Sequence, residues 1–320
     1  MLVIDTEQTR RVLEFPAVIA ALREAFRAGA SVPPRHVHAI ECGDAQGTSL
    51  IMPAWNQQGY FGVKVINIFP GNTGQGLPGL HAVYTLYSAR TGVPLAHVDG
   101  DVVTVFRTAG AAALGASYLA RHDARVLLIV GSGRIAGLLA QAMRAVRPIE
   151  RVLVWNVRPA GARALAQSLA AQGFDAQAVD ALEPAVRQAD IVSCATLSTQ
   201  PLVLGAWLRP GTHLDLIGSF KPDMIETDTA CFANAEVYVD TAEAPTKSGD
   251  LLAAFEAGTL VRSDIRGTLA DLIEGRAPGR RGDGDITVFK AVGSALEDLT
   301  LAAMAYEAHA PGGVGVPGAK

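Results

Sequence analysis

Cysteine is scarce in this chain, at three residues (Cys42, Cys194 and Cys231), and no two of them form a C-x-x-C pair. An odd number of widely spaced cysteines excludes a disulfide framework, and reduced, mostly buried thiols in a cytoplasmic protein are expected. H-E-x-x-H and G-x-S-x-G are both absent, which removes common zinc-protease and serine-hydrolase signatures. His36 and His38 share one face of a strand. Two imidazoles without a nearby acidic or thiol ligand do not make a metal site, so no metal is expected. Charge is modest, at 18% Asp, Glu, Lys and Arg with a net −4, which argues against nucleic acid or an anionic membrane as partner. No unbroken run of roughly 18 apolar residues occurs and no charged leader opens the chain, so no membrane span is expected.

What is present suits a globular protein of two domains: 320 residues, 49% of them hydrophobic. The strongest local signal is the apolar run Arg125–Val130, which flows into Gly131-Ser-Gly133-Arg134-Ile135-Ala136 and an Ala/Leu-rich helical pattern. A buried strand that breaks on glycines into a helix N-terminus is the Rossmann receptor for a dinucleotide. Gly131 permits the tight turn, and Gly133 lets the backbone approach a pyrophosphate. Gly131, Gly133, Arg134 and Ile135 are therefore candidate cofactor residues. The next apolar run, 151–156, ends at Asn156, with Arg158 and Arg163 following. An acid at that strand end would hold an adenosine ribose and repel a 2′-phosphate, whereas an amide followed by guanidinium groups suits the phosphate. NADP(H) is favoured and NAD(H) remains possible.

Periodicity divides the chain. Helical spacing over 12–28 ends at Gly29. Strand-like runs follow at 37–40, 49–52, 62–66, 82–88 and 94–99, without helices between them, and predict an antiparallel or meandering sheet. Val102–Phe106 also reads as strand-like, ahead of an Ala-rich helix over 107–121. From 125 strands alternate with helices (near 134–147 and 160–172), as a doubly wound parallel sheet requires. Its later strands are expected near 190–195, 212–217 and 236–240. Residues 275–285 form a polar loop, 286–289 a strand and 292–308 a last helix, before a Gly/Pro-rich tail from Pro311 that is expected to be mobile.

Three charged groups stand out. Arg107 and Thr108 at the start of the Ala-rich helix would make an anion site, although a capping or salt-bridging arginine is the alternative. Lys64 interrupts the strand Gly62-Val-Lys-Val-Ile66 on a face it shares with Gly62 and Ile66. So placed, its pKa can be depressed for acid/base work or carboxylate binding. Arg35 follows Pro33-Pro34, which stiffen its approach. On the residues alone, an edge-strand lysine and a surface arginine are the simpler reading of these two.

The ordered string Asp99–Ala109, Tyr118–Arg121, Gly131–Gly133, Ala195–Pro201, Gly211–Ser219 and Thr287–Gly293 with Glu297-Asp298 resembles the ornithine cyclodeaminase/μ-crystallin family over nearly the whole chain. The resemblance implies an α/β protein with a doubly wound Rossmann domain (121–291). It also implies an α+β substrate and dimerisation domain built from both chain ends (1–120 with 292–320), and a homodimer joined through the substrate-domain strands. It implies that Arg35 and Lys64 hold a substrate carboxylate, that Lys64 serves as acid/base, and that Val292 borders the substrate. Arg107 and Thr108 match pyrophosphate contacts, with Thr196 and Ser219 near the cofactor. True cyclodeaminases carry an aspartate where this chain has Phe220, which can neither accept a proton nor pair with an ammonium. The segment is closer to the ketimine reductase/μ-crystallin branch, and the implied activity is NAD(P)-dependent oxidoreduction of a small α-imino or α-amino acid. Ornithine cyclodeaminase, with Asp223 or Glu226 replacing the missing acid, and a non-catalytic NADPH-dependent ligand-binding protein are the alternatives.

Overall fold

Alternating burial along residues 60–66 and 84–88 marks the central strands of the first sheet, because a strand with one face on a core shows period two, whereas residues 36–42 are exposed throughout. The computed structural model describes residues 1–310, so the tail expected from Pro311 lies outside the described residues. The chain forms two units, one of Met1–Arg107 with the segment that begins at Ser294, the other Thr108–Gly293.

The first unit opens with β1 (Leu2–Ile4), α1 (Thr6–Val12) and α2 (Phe15–Ala28). The sheet strands follow: β2 (His36–Cys42), β3 (Ala45–Trp55), β4 (Tyr60–Ile68), β5 (Leu80–Ser88) and β6 (Pro94–Asp99). Strands β2 to β6 form an antiparallel meander, and β1 adds to β6 in parallel, giving the order β1-β6-β5-β4-β3-β2. Along β4 the buried positions are Tyr60, Gly62, Lys64 and Ile66, so the apolar face carries a lysine.

The next element corrects the sequence reading. Val102–Phe106 is not a strand: α3 runs from Gly100 to Leu119, starting directly after β6. Asp99 caps it by accepting from the Val102 amide at 2.9 Å. A Cβ on Gly100 would lie 2.7 Å from the backbone of Ala82, so only glycine permits this start. The β-branched run favours a strand by propensity, but burial of the helix overrides that weak preference. By length and composition α3 could cross a membrane, yet 78% of its apolar window is already covered by protein.

The second unit continues with β7 (Val126–Val130), α4 (Ala136–Arg144), β8 (Arg151–Trp155), α5 (Pro159–Ala171), β9 (Asp175–Ala178), α6 (Leu182–Val186) and β10 (Ile191–Cys194). Then come β11 (Thr199–Val203), β12 (His213–Leu216), β13 (Ile225–Thr227), β14 (Ala235–Val239), α7 (Ala244–Lys247), α8 (Gly249–Glu256), β15 (Ile265–Thr268), α9 (Leu269–Ile273) and β16 (Ile286–Lys290). Eight of these strands form a parallel sheet of order β15-β14-β16-β12-β10-β7-β8-β9, while β11 and β13 pair separately. The chain winds outward from β7 to β9, then returns to the other side of β7 with β10. The crevice at the carboxyl ends of β7 and β10 is the switch point at which doubly wound sheets bind ligands. The core is the set of inward valines and leucines on these strands, among them Leu128, Val192, Leu214, Val237 and Val288. In α3 a Cβ on Gly115 would lie 2.8 Å from the Phe289 ring, which explains the small residues of that helix.

The last helix, α10 (Ala295–His309), belongs to the first unit. The division between the two compact units falls after Arg107, inside α3. The later turns of α3 pack with the parallel sheet, as the Gly115–Phe289 approach illustrates.

Candidate active site

In the first unit the charged residues converge. Lys64 stands on the inner face of β4, with Met52 of β3 and Tyr84 of β5 as its cross-strand neighbours. Its ammonium is fully buried and lies 2.5 Å from Asp298, in the first turn of α10, and 3.4 Å from the Thr104 hydroxyl of α3. Arg107 reaches the same helix end, with Nε 3.1 Å from Asp298 and Nη1 2.9 Å from Glu297. Two cations thus meet two carboxylates where a helix N-terminus favours negative charge. Burial lowers the Lys64 pKa to about 8, Asp298 opposes that shift, and Arg107 reinforces it.

Arg107 is therefore not helix-initial. It lies within α3, past the turn whose free N–H groups would attract an anion, and it is paired with carboxylates. Thr108, the next residue, is buried. Arg35 immediately precedes β2 and is half-buried; its guanidinium makes no hydrogen bond or ion pair among the described residues. His36 pairs with Ile51, so the register carries Arg35 to the level of Met52, the partner of Lys64. Two strand spacings, about 10 Å, separate Arg35 from Lys64 across the sheet.

The second unit gathers the cofactor candidates at the crevice. Gly131 has φ 114°, and a Cβ there would lie 2.6 Å from the Ala195 carbonyl, so glycine is required. A Cβ on Gly133 would meet nothing within 4 Å, which leaves the backbone ahead of α4 approachable, as a pyrophosphate needs. Arg134 at this turn is exposed and Ile135 half-buried. Asn156 donates from Nδ2 to the Ser132 hydroxyl at 2.8 Å, tying the end of β8 to the glycine turn. Arg158 is exposed and forms no ion pair among the described residues. Thr196 follows β10; its amide and hydroxyl both donate to Glu226, at 2.8 and 2.9 Å.

Three sequence candidates are buried and hydrogen-bonded within their own unit. The Ser219 hydroxyl is fully buried, donating to the Met224 carbonyl at 2.5 Å and accepting from the Asp250 amide at 3.0 Å. The Val292 side chain packs into the core of its unit, and its amide donates to Asp240 at 2.7 Å. Glu226 is fully buried and also accepts from the Gly218 amide at 2.7 Å. It fastens the turns after β10 and β12 and is not an available acid. Asp223 is exposed, and Phe220 packs against the core.

Several groups were missed as site residues. Asp298 and Glu297 stood in the recognised string without a role. Their signal was two acids opening an otherwise apolar helix. Lys290 is fully buried 3.8 Å from Asp250, and Asp240 clamps the amides of Val292 and Gly293. His213 is excluded as an acid/base: burial lowers its pKa to about 3, and its Nδ1 pairs with Thr287. No group of His, Cys, Asp and Glu suited to a metal occurs among the described residues. The cysteines are free thiols, with Cys42 exposed and the other two buried.

Against known proteins the picture is consistent. A model of the ornithine cyclodeaminase/mu-crystallin family matches residues 2–312. Delta(1)-pyrroline-2-carboxylate reductase of Paracoccus denitrificans is 42% identical over 281 residues, 87% of this chain and 89% of that protein. Among solved structures, Delta(1)-pyrroline-2-carboxylate reductase of Thermococcus litoralis in complex with NADH and L-proline superposes with TM-score 0.92. Its identity is 32%, over 99% of this chain and all of that one. An archaeal alanine dehydrogenase dimer with bound NAD gives 0.89 at 31% identity, covering 99% and 98% of the two chains. The chain belongs to the ornithine cyclodeaminase/mu-crystallin family.

Proposed function

We propose that this protein is an NAD(P)H-dependent oxidoreductase that reduces the C=N bond of a small α-imino acid of the Δ1-pyrroline-2-carboxylate class, and runs the reverse oxidation. The observation that carries it is the buried Lys64 ammonium, held at 2.5 Å by Asp298 with its pKa lowered to about 8. A lysine tuned toward neutrality is fit to give up a proton, since acid/base groups work best near the operating pH. A nicotinamide cofactor, when bound, supplies the hydride. Arg35 and Lys64 hold the carboxylate; Lys64 protonates the imine nitrogen and regains its proton from water that enters when the product leaves. Asp298 restrains the ammonium, and orientation of this kind is worth about 7–11 kcal/mol of barrier when complete.

The cofactor is assigned to the turn at Gly131 and Gly133, with Arg134, Ile135, Asn156, Arg158 and Thr196 around it. Gly133 offers approachable backbone and Gly131 the turn. We favour NADP(H) over NAD(H), because Asn156 brings no carboxylate to the end of β8 and Arg158 is an exposed guanidinium two residues on. The pyrophosphate role of Arg107 and Thr108 rests on the family resemblance alone. We assign substrate binding and dimerisation to the domain formed by the two chain ends. Exposed Val37, Trp55 and Val83 on its sheet, with the free edge of β2, support a homodimer. Three free thiols fit a reducing, cytoplasmic setting.

Phe220 in the core and Asp223 in solvent weigh against ornithine cyclodeaminase. The carboxylates around Lys64 weigh against a non-catalytic binding protein. The test is purified protein with NADPH or NADH and Δ1-pyrroline-2-carboxylate, and separately L-ornithine with NAD. Oxidation of reduced cofactor on the imino acid is expected, and ornithine conversion to proline in its place overturns the reading.

A further inference from the structure

Tyr84 is the cross-strand partner of Lys64, on the same face of the sheet. Its side chain is fully buried, and its hydroxyl has no hydrogen-bond partner among the described residues. The ring end lies over Gly62, so that a Cβ on that glycine would be 2.2 Å from the hydroxyl oxygen. Gly62 is thus the residue that allows Tyr84 to lie beside the lysine. A buried, unpaired hydroxyl is costly, and phenylalanine would fill the same space without the cost. A phenol kept at such a place has a use for its O–H.

We propose that the Tyr84 hydroxyl is a substrate-orienting donor, which hydrogen-bonds the carboxylate of the imino acid whose nitrogen Lys64 serves. Burial, together with the nearby Asp298 charge, pushes the phenol pKa upward, so the group stays protonated and acts only as a donor toward an anion. In a cyclic imino acid the nitrogen lone pair is taken by the Lys64 proton. The carboxylate oxygens are then the acceptors that remain. The proposal rests on the reductase reading for the identity of the substrate and extends it to a residue with no assigned role.

The experiment is Tyr84→Phe, with L-proline as the binding probe and Δ1-pyrroline-2-carboxylate as the substrate. A hydrogen bond to a charged group predicts a loss of about 10- to 100-fold in L-proline affinity and in kcat/KM. NADPH affinity should be unchanged, and the melting temperature unchanged or higher because an unpaired hydroxyl has gone. Equal affinity and kcat/KM in variant and wild type overturn the proposal. So does a parallel loss of cofactor binding and stability, which would mark a packing role. Proline binding that weakens in Tyr84→Phe while neither protein turns over imino acid supports the tyrosine contact and overturns the reductase reading. A wild type that neither binds proline nor reduces the imino acid overturns both.

Discussion

Lys64 and Asp298, far apart in the chain, meet at 2.5 Å with neither side chain exposed to solvent. Asp298 also accepts from Arg107, so one carboxylate serves two cations and the lysine keeps a partner that does not fully neutralise the cost of its burial. The proposed chemistry depends on that imbalance.

Lys64→Met is expected to abolish imino-acid reduction while cofactor affinity persists. Lys64→Arg should fail as well, because guanidinium holds its proton too tightly to donate it. Steady-state kinetics with cofactor titration checks both. A Lys64→Met enzyme that keeps kcat and changes only KM would reduce Lys64 to a carboxylate ligand.

Reduction requires the Lys64 proton, so kcat/KM should fall as pH rises through about 8, and oxidation of the amino acid should rise over the same interval. Asp298→Asn removes the charge that raises the lysine pKa, moving the basic limb to lower pH. Arg107→Met removes a charge that lowers it, moving the limb upward. Each substitution also breaks a buried pair, at a cost of about 3–5 kcal/mol. pH–rate profiles of the three proteins check the opposite directions.

Folding stability should carry the same signature. The folded Lys64 value of about 8 lies below its ordinary 10.5, so between these limits the unfolded chain binds the extra proton. Stability attributable to this group therefore rises with pH across that window and is flat below it. Denaturant unfolding of wild type against Lys64→Met at about pH 7 and about pH 11, on either side of the window, measures the difference.

Arg158→Ala is expected to weaken NADPH by about 1–3 kcal/mol, the range for a charged hydrogen bond, and to leave NADH nearly unchanged. Equal losses for both cofactors would remove the case for a 2′-phosphate contact. Isothermal titration with each cofactor decides it.

Glu226→Ala should lower the melting temperature and loosen cofactor binding without a shifted pH profile. Three donors, the Gly218 and Thr196 amides and the Thr196 hydroxyl, lose their acceptor, and each buried unpaired donor costs about 1–3 kcal/mol. A shifted pH profile would instead give Glu226 a part in proton transfer.

Much of this architecture is written locally. The run Arg125–Val130 with Gly131 and Gly133 specifies a strand, a turn and a helix, because a buried parallel strand must be apolar and the turn must permit positive φ. Alternation along β4 puts Lys64 on one face with Gly62 and Ile66; the residues alone favour an edge-strand lysine, and the fold makes that face the buried one of an interior strand. What local pattern could not supply was the company of that lysine. Its carboxylates come from α10 and its third neighbour, Arg107, from a helix whose first turns read as a strand. β-branched residues favour a strand only weakly, and burial of most of α3 reversed that preference. Ser219, Val292 and Glu226 show the same limit: the family resemblance or an acidic side chain brings each to notice, and only the fold shows each buried within its own unit. The sequence alone determined which elements form and which face of each is apolar. The tertiary structure decided the lysine's pKa, because desolvation and the placement of counter-charges depend on residues brought together only by folding.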